Sequence, residues 1–514
     1  MKAIFITTPI YYVNDVPHIG HSYTTILADI LSRYYRMTGH DVFFLTGTDE
    51  HGQKIEKAAE AKGLTPQELV DQVVLRFREL WAVLNINYDR FIRTTDLEHI
   101  KVVQDVFRRV HEKGYIYLGE YVGLYCRPCE TYYTETQAPD GFCPECKREL
   151  SLLKEEAFFF KLSAFETPLL DYVENAPEFV LPLTRRNEVL SFIRSGLNDL
   201  CITRSAINWG IEIPDIQVET QQKHYIYVWF DALLNYLTGI KYGQDSELFS
   251  HYWPATIQLI GKDILKFHAV IWPAMLMALD LPLPLHVFGH GFIYQSGEKM
   301  SKSKGNVLDP YVLIKEYGAD AFRYFLAREV VMGLDGSYSD ENMKQRFNSD
   351  LANDWGNLIN RTINMMKKYF NNEIPATDMV VGIDESADIL RHSSTQLFDK
   401  IKGLMGEFKL SHVLEEIFFV IRESNKYIED QAPWTLSKKG EVDRLAYVMI
   451  QLLEAIRLVS LFLFPFMPST VERVYQQLQI SIQFSNVDAA FFEWGYFKPG
   501  MSLGDPVPLF PRKI

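Results

Sequence analysis

Apolar positions near the start of the chain group with two different periods. Residues 3–8 read as a strand. Residues 22–37 carry apolar side chains at helical intervals until Gly39, and Asp41-Val42-Phe43-Phe44-Leu45-Thr46 reads as a second strand. A strand, a helix and a strand in that order form the opening of a mononucleotide-binding α/β fold. The pattern changes after Tyr115, where cysteine pairs, prolines and short strands displace the long helical periods, and it returns near Tyr225. An insertion is implied. Beyond it, residues 257–261 read as a strand, 264–279 as a helix and 285–288 as another strand, so the first and third segments are expected to share one parallel sheet. From about residue 345 the helical period dominates, with Leu414, Ile417, Phe418 and Ile421 at i, i+3, i+4 and i+7.

These patterns predict a Rossmann-like parallel-sheet body split by an insertion and followed by an all-α bundle. Its two halves are placed at 1–116 and 223–298, the insertion at 117–222, a lysine-rich loop and the region after it at 299–345, and the helical domain at 346–514. A chain of 514 residues is long enough for several domains, since single cores stop growing at roughly 250 to 300. With 47% hydrophobic and 23% charged residues it has the balance of a soluble globular protein. The strand-like opening has no leader ahead of it, so the cytosol is the expected compartment. The most apolar stretch, 447–467, is interrupted by Gln451, Glu454 and Arg457 at helical spacing and broken by Pro465 and Pro468. It reads as a buried helix and not as a membrane span. A net charge of −14 counts against a broadly basic nucleic-acid face, although a local basic track can sit on an acidic body.

Four of the five cysteines form two Cys-x-x-Cys pairs, Cys126 with Cys129 and Cys143 with Cys146. That spacing brings four thiolates to one tetrahedral centre, which predicts one structural Zn²⁺ with no open position, a staple for an insertion too small to hold itself together. Cys201 stands apart and reads as a buried apolar residue.

Two motifs carry chemistry. His18-Ile19-Gly20-His21 falls where a strand turns into a helix, a position at which free backbone N–H groups and the helix dipole favour phosphate. Far downstream, Lys299-Met300-Ser301-Lys302-Ser303-Lys304 forms a lysine-rich loop bounded by Gly297 and Gly305. Either motif alone is explained by a surface histidine pair or a solvated basic turn. Together, in this order, they point to a site that binds a triphosphate and neutralises charge as it is attacked, which is nucleotidyl transfer.

With these two signatures the chain resembles a class I aminoacyl-tRNA synthetase. Thr8-Pro9-Ile10-Tyr11-Tyr12, Thr46-Gly47-Thr48-Asp49-Glu50-His51-Gly52, Val228-Trp229-Phe230-Asp231-Ala232 and Gly261-Lys262-Asp263 are similar to the methionyl-tRNA synthetase family, essentially end to end. The resemblance implies that L-methionine, ATP with Mg²⁺ and tRNA(Met) are the partners, with His18, His21, Lys299 and Lys302 acting on the reacting phosphate. It also implies ATP contacts at Gly20, Gly261, Asp263 and Ile293, alongside those four. For methionine it implies a pocket of Ile10, Tyr12, Asp49, Trp229, Ala232, Leu233, Tyr236, His268 and Trp272, with Asp49 at the ammonium. Asn357, Arg361 and Trp434 would read the CAU anticodon. A monomer is expected, because the chain stops at Ile514 without the further dimerisation domain that some members carry. A synthetase for cysteine or a branched aliphatic amino acid is the nearest rival, and a non-catalytic RNA-binding paralogue the more distant one.

Overall fold

The structure is a computed structural model describing residues 3–13, 16–126, 131–133, 138, 140–144, 147–205, 207–218, 220, 222–295, 298–299, 308–377 and 385–513. At a few of these, Cys126 and Lys299 among them, it describes only the backbone.

The main sheet has seven strands in the order Tyr11–Tyr12, Asp41–Asp49, Ala3–Thr7, Ile257–Gly261, His286–His290 and Val180–Leu181, with Arg90–Arg93 also paired to Asp41–Asp49. Every pairing within it is parallel. Successive side chains on a strand point to opposite faces, and the sequence uses this fully. Ile4 and Ile6 enter one core and Phe5 the other, and Phe44 and Leu45, then Leu259 and Ile260, divide in the same way. The runs read as continuously apolar because both faces are covered.

The first and third segments share this sheet through Ala3–Thr7 and Ile257–Gly261. Val180–Leu181, from inside the middle segment, joins its edge beside His286–His290. The middle segment joins two long strands to short ones of the expected kind, Thr131–Tyr133, Leu200–Cys201 and Thr203–Arg204 among them. Ile116–Cys126 and Ser151–Phe160 pair antiparallel from Ile116 opposite Phe160 to Tyr125 opposite Ser151.

The helix expected over 264–279 is interrupted. A 3-10 turn at Lys262–Ile264 is followed by a π-helical turn at Phe267–Ile271 and then an α-helix at Trp272–Ala278. Pro273 has no N–H to give to the carbonyl four residues back, so the ladder widens upstream of it, where Phe267 and His268 lie.

Among the described residues the C-terminal part is mostly helical, built chiefly on Asn357–Phe370, Glu385–Gly406, Leu410–Gln431, Val442–Leu463 and Pro468–Gln477. Val442–Leu463 is long and apolar enough to cross a membrane, with a mean hydropathy of 1.7, yet 94% of that stretch is buried inside the protein. Its Glu454 and Arg457 pair at 2.9 Å with both side chains fully buried. One of the two cores runs without interruption from the sheet into these helices.

Candidate active site

Ala3–Thr7 has Asp41–Asp49 on one side and Ile257–Gly261 on the other, so the strand order reverses there. A crevice opens at such a point outside the carboxyl ends of the strands. The histidine tetrapeptide, the Asp49 run, Gly261 and Ile293 all follow strands on that side.

The first helix, Ile19–Met37, is capped by its own histidines. Gly20 N–H donates to His18 Nδ1 at 3.1 Å, and His18 N–H donates to His21 Nδ1 at 3.2 Å. The rings stack with centroids 3.8 Å apart. A neutral imidazole that accepts at Nδ1 carries its proton on Nε2, so the cap sets the tautomer of both rings and makes Nε2 the donor. A Cβ on Gly20 would lie 3.0 Å from His18 Cε1 and press on the stacked ring.

A short path links this helix to the lysine loop. Thr24 Oγ1 and His290 Nε2 are 2.7 Å apart, and His290 Nδ1 donates to Gly291 O at 2.8 Å. Burial holds the His290 imidazole below its ordinary pKa. Strand Ile293–Gln295 then follows, and Lys299 lies opposite its Tyr294. Lys302 lies outside the described residues, as does the side chain of Lys299.

The run after Asp41–Asp49 is held at each neighbour of Asp49. Glu50 takes Arg93 through Nε at 2.8 Å and Nη2 at 2.9 Å, and Thr48 Oγ1 donates to it at 2.6 Å. His51 Nδ1 donates to Asp231 Oδ2 at 2.7 Å, while His51 O accepts from Tyr12 Oη at 2.8 Å. Gly52 N–H donates to Trp209 O at 3.0 Å; its φ of 104° and the 2.8 Å from a would-be Cβ to Tyr12 Oη exclude other residues. Against this, the buried Asp49 Oδ1 has no hydrogen-bond partner among the described residues. Burial, and next the negative charge of Asp231, push the Asp49 carboxyl well above the usual carboxylate range.

The aromatic residues converge beside this run. Ala232, Leu233, Tyr236, His268 and Trp272 are buried, while Ile10, Tyr12 and Trp229 are half-buried. Trp229 stacks on Phe267 with centroids 3.9 Å apart and planes 8° from parallel. Tyr236 Oη and His268 Nε2 are 2.8 Å apart, and His268 Nδ1 lies 3.1 Å from Ile264 O. Burial lowers the His268 pKa to about 4, so the ring is neutral, donating from Nδ1 and accepting the tyrosine hydroxyl.

Gly261 ends its strand beside Asp263, whose Oδ1 lies 2.6 Å from where a Cβ on Gly261 would be, and Asp263 is exposed. In the helical domain Asn357 begins its helix and is exposed. Arg361, one turn on, pairs with Glu429 at 2.7 Å and holds its guanidinium 6.0 Å from the Trp434 ring. Of the cysteines, Cys143 is buried in a small cluster with Ala138 and Leu150. Cys129, Cys146 and the side chain of Cys126 lie outside the described residues. A cleft of about 360 Å³ lined by Tyr317, Asp320, Arg473 and Phe510 lies elsewhere, and none of the motif residues lines it.

Sequence reasoning assigned no role to His51, His99 or Asp231. His99 Nε2 donates to Asp231 Oδ1 at 2.7 Å across 132 residues of chain, a separation that no local pattern reveals.

A switch-point crevice entered by a histidine-capped helix is the architecture of the class I tRNA synthetases, and the family model described as "tRNA synthetases class I (M)" matches residues 4–153 and 148–363. The methionine–tRNA ligase of Caldanaerobacter subterraneus subsp. tengcongensis is 47% identical over 513 residues, which are 99% of this chain and 79% of that one. That of Thermotoga maritima is 46% identical over 512 residues, 99% of this chain and 80% of the relative. Mycobacterium tuberculosis methionyl-tRNA synthetase in complex with methionyl-adenylate superposes with a TM-score of 0.91 at 39% identity, covering 100% of both chains. Its free-state form gives 0.85 at 36% identity, covering 100% of this chain and 99% of that one. The chain belongs to the methionine–tRNA ligase family.

Proposed function

We propose that this protein joins L-methionine to tRNA(Met) in two steps. The methionine carboxylate attacks the α-phosphorus of ATP, releasing pyrophosphate and leaving methionyl-adenylate. A terminal ribose hydroxyl of the tRNA then takes the methionyl group and AMP departs.

The observation that carries this reading is the single unpartnered oxygen of Asp49, in a run whose other members are all held. A buried acceptor without a donor is costly, by about 1 to 3 kcal/mol, and a substrate ammonium supplies the donor and the charge together. The side chain would then run along Tyr236, Trp272 and neutral His268, polarisable walls that suit a thioether.

His18 and His21, each donating from Nε2 at the positive end of a helix, are placed to stabilise charge gathering on the α-phosphate. A donor of this kind contributes about 10² to 10³ in kcat. Lys299 and Lys302 would close from the other side, with Gly20, Gly261, Asp263 and Ile293 holding the nucleotide. Mg²⁺ bound with ATP would offset phosphate charge. Cys126, Cys129, Cys143 and Cys146 would hold one Zn²⁺ in the middle segment. Supporting this, Cys143 N–H donates to Arg148 O at 2.8 Å and Lys147 N–H to Cys143 O at 2.9 Å, a tight turn whose described residues form only a small apolar cluster. Asn357, Arg361 and Trp434 offer an amide, a guanidinium and a half-exposed indole to splayed anticodon bases.

Steady-state charging of tRNA(Met) by Asp49→Asn tests the reading. The KM for methionine should rise about tenfold or more while that for ATP moves little. An unchanged methionine KM would refute it.

A further inference from the structure

Asp231 lies on the short helix Val228–Leu233, and its carboxylate is 1% exposed. Both oxygens are engaged by imidazoles from distant elements: Oδ2 by His51 Nδ1 and Oδ1 by His99 Nε2, each at 2.7 Å. His99 Nδ1 continues to Thr238 Oγ1 at 3.0 Å. A carboxylate taken wholly out of water is expensive, and packing alone would be served as well by an apolar residue. Three polar residues brought together from positions 51, 99 and 231 ask for a use.

Their use follows from what else His51 touches. Its carbonyl receives the Tyr12 hydroxyl at 2.8 Å, its backbone N–H acts on the Asp49 carboxyl, and Tyr12 sits directly opposite Asp49 in the sheet. The side chain of His51 is thus the anchor of a backbone segment whose two neighbours in space are the expected ammonium acceptor and a wall of the pocket. Asp231 and, to a lesser extent, Glu50, which Arg93 pairs at 2.8 Å, both press negative charge on the Asp49 carboxyl. That field favours a cation.

We propose that Asp231, held by His99 and acting through His51, is a positioning residue for the substrate's α-ammonium. Resting on the methionine-site reading above, the proposal adds that the cluster serves the amine end of the substrate and not its carboxylate or thioether. Removing the anchor lets the Asp49 and Tyr12 backbone shift, so recognition of the amine fails while the slot of Tyr236, His268 and Trp272 stays intact.

Two competitive inhibitors separate these ends: methioninol, which keeps the amine and lacks the carboxylate, and 4-(methylthio)butanoate, which keeps the carboxylate and lacks the amine. His51→Ala and Asp231→Asn should each weaken methioninol, and raise the KM for methionine, by about tenfold or more, as expected for a hydrogen bond serving a charged group. Inhibition by 4-(methylthio)butanoate should stay within about twofold, and His51→Asn, which keeps a donor where Nδ1–H lies, should recover most of the loss. Equal weakening of both inhibitors would mean collapse of the pocket and would overturn the proposal, as would no weakening of either. Failure of methioninol to compete with methionine in the unsubstituted protein would instead overturn the ammonium seat itself. Should Asp231→Asn not fold, the pair His51→Ala and His51→Asn decides alone.

Discussion

Arg323 Nη2 lies 2.6 Å from Asp29 Oδ2, and both side chains are fully buried. Asp29 belongs to the helix that the two histidines cap, and Arg33 donates to it at 2.7 Å and the Asn87 N–H at 2.7 Å. Arg323 gives three further donors to Phe466 O at 3.0 Å, Pro465 O at 2.8 Å and Leu84 O at 3.2 Å. One guanidinium therefore ties the histidine-capped helix to the turn between two bundle helices, inside a core that both share.

This joint makes Arg323 a stability determinant. Arg323→Met removes a charge that Asp29 and three carbonyls are arranged around, and the loss should be about 3 to 5 kcal/mol. Denaturant unfolding at neutral pH measures it. A variant as stable as the parent would show that Arg33 alone satisfies Asp29.

His268 gives the protein an acid-sensitive element. Its pKa is lowered by burial from 6.5 to about 4, so in the folded state it stays neutral where the unfolded chain binds a proton. Its contribution to stability is complete above about pH 6.5 and is lost as pH falls toward 4, a change of about 3 kcal/mol. In His268→Gln the fall in unfolding free energy between pH 6.5 and 4 should be shallower by up to one proton. Parallel curves for the two proteins would contradict this.

How much of this was readable from the chain depends on the range of the interaction. Strand Ile257–Gly261 and the helix ending at Met37 follow from local periodicity, and the sheet they share follows from the alternation of elements. The two-residue strand Val180–Leu181 carries no period and was not foreseen in the main sheet, because its pairing with His286–His290 is decided by tertiary packing. Pro273 was visible, but its effect on His268 runs upstream through the backbone ladder and not through any motif. The histidine tetrapeptide was legible as the start of a helix. That its two Nδ1 atoms accept backbone N–H groups, which sets the tautomer, required coordinates.

The four cysteines supply a metal prediction. Purified protein should contain about one zinc per chain, and Cys143→Ser should lose it and expose the middle segment to proteolysis. Metal analysis and limited digestion check both. A zinc-free protein of normal protease resistance would remove the metal from the account.

The most direct test of the central claim is ATP–pyrophosphate exchange with each amino acid supplied singly and no tRNA present. Methionine should support exchange, with cysteine, leucine, isoleucine and valine each weaker by at least about tenfold, as expected when a pocket is filled imperfectly. Exchange driven best by any of the other four would contradict the assignment of this site.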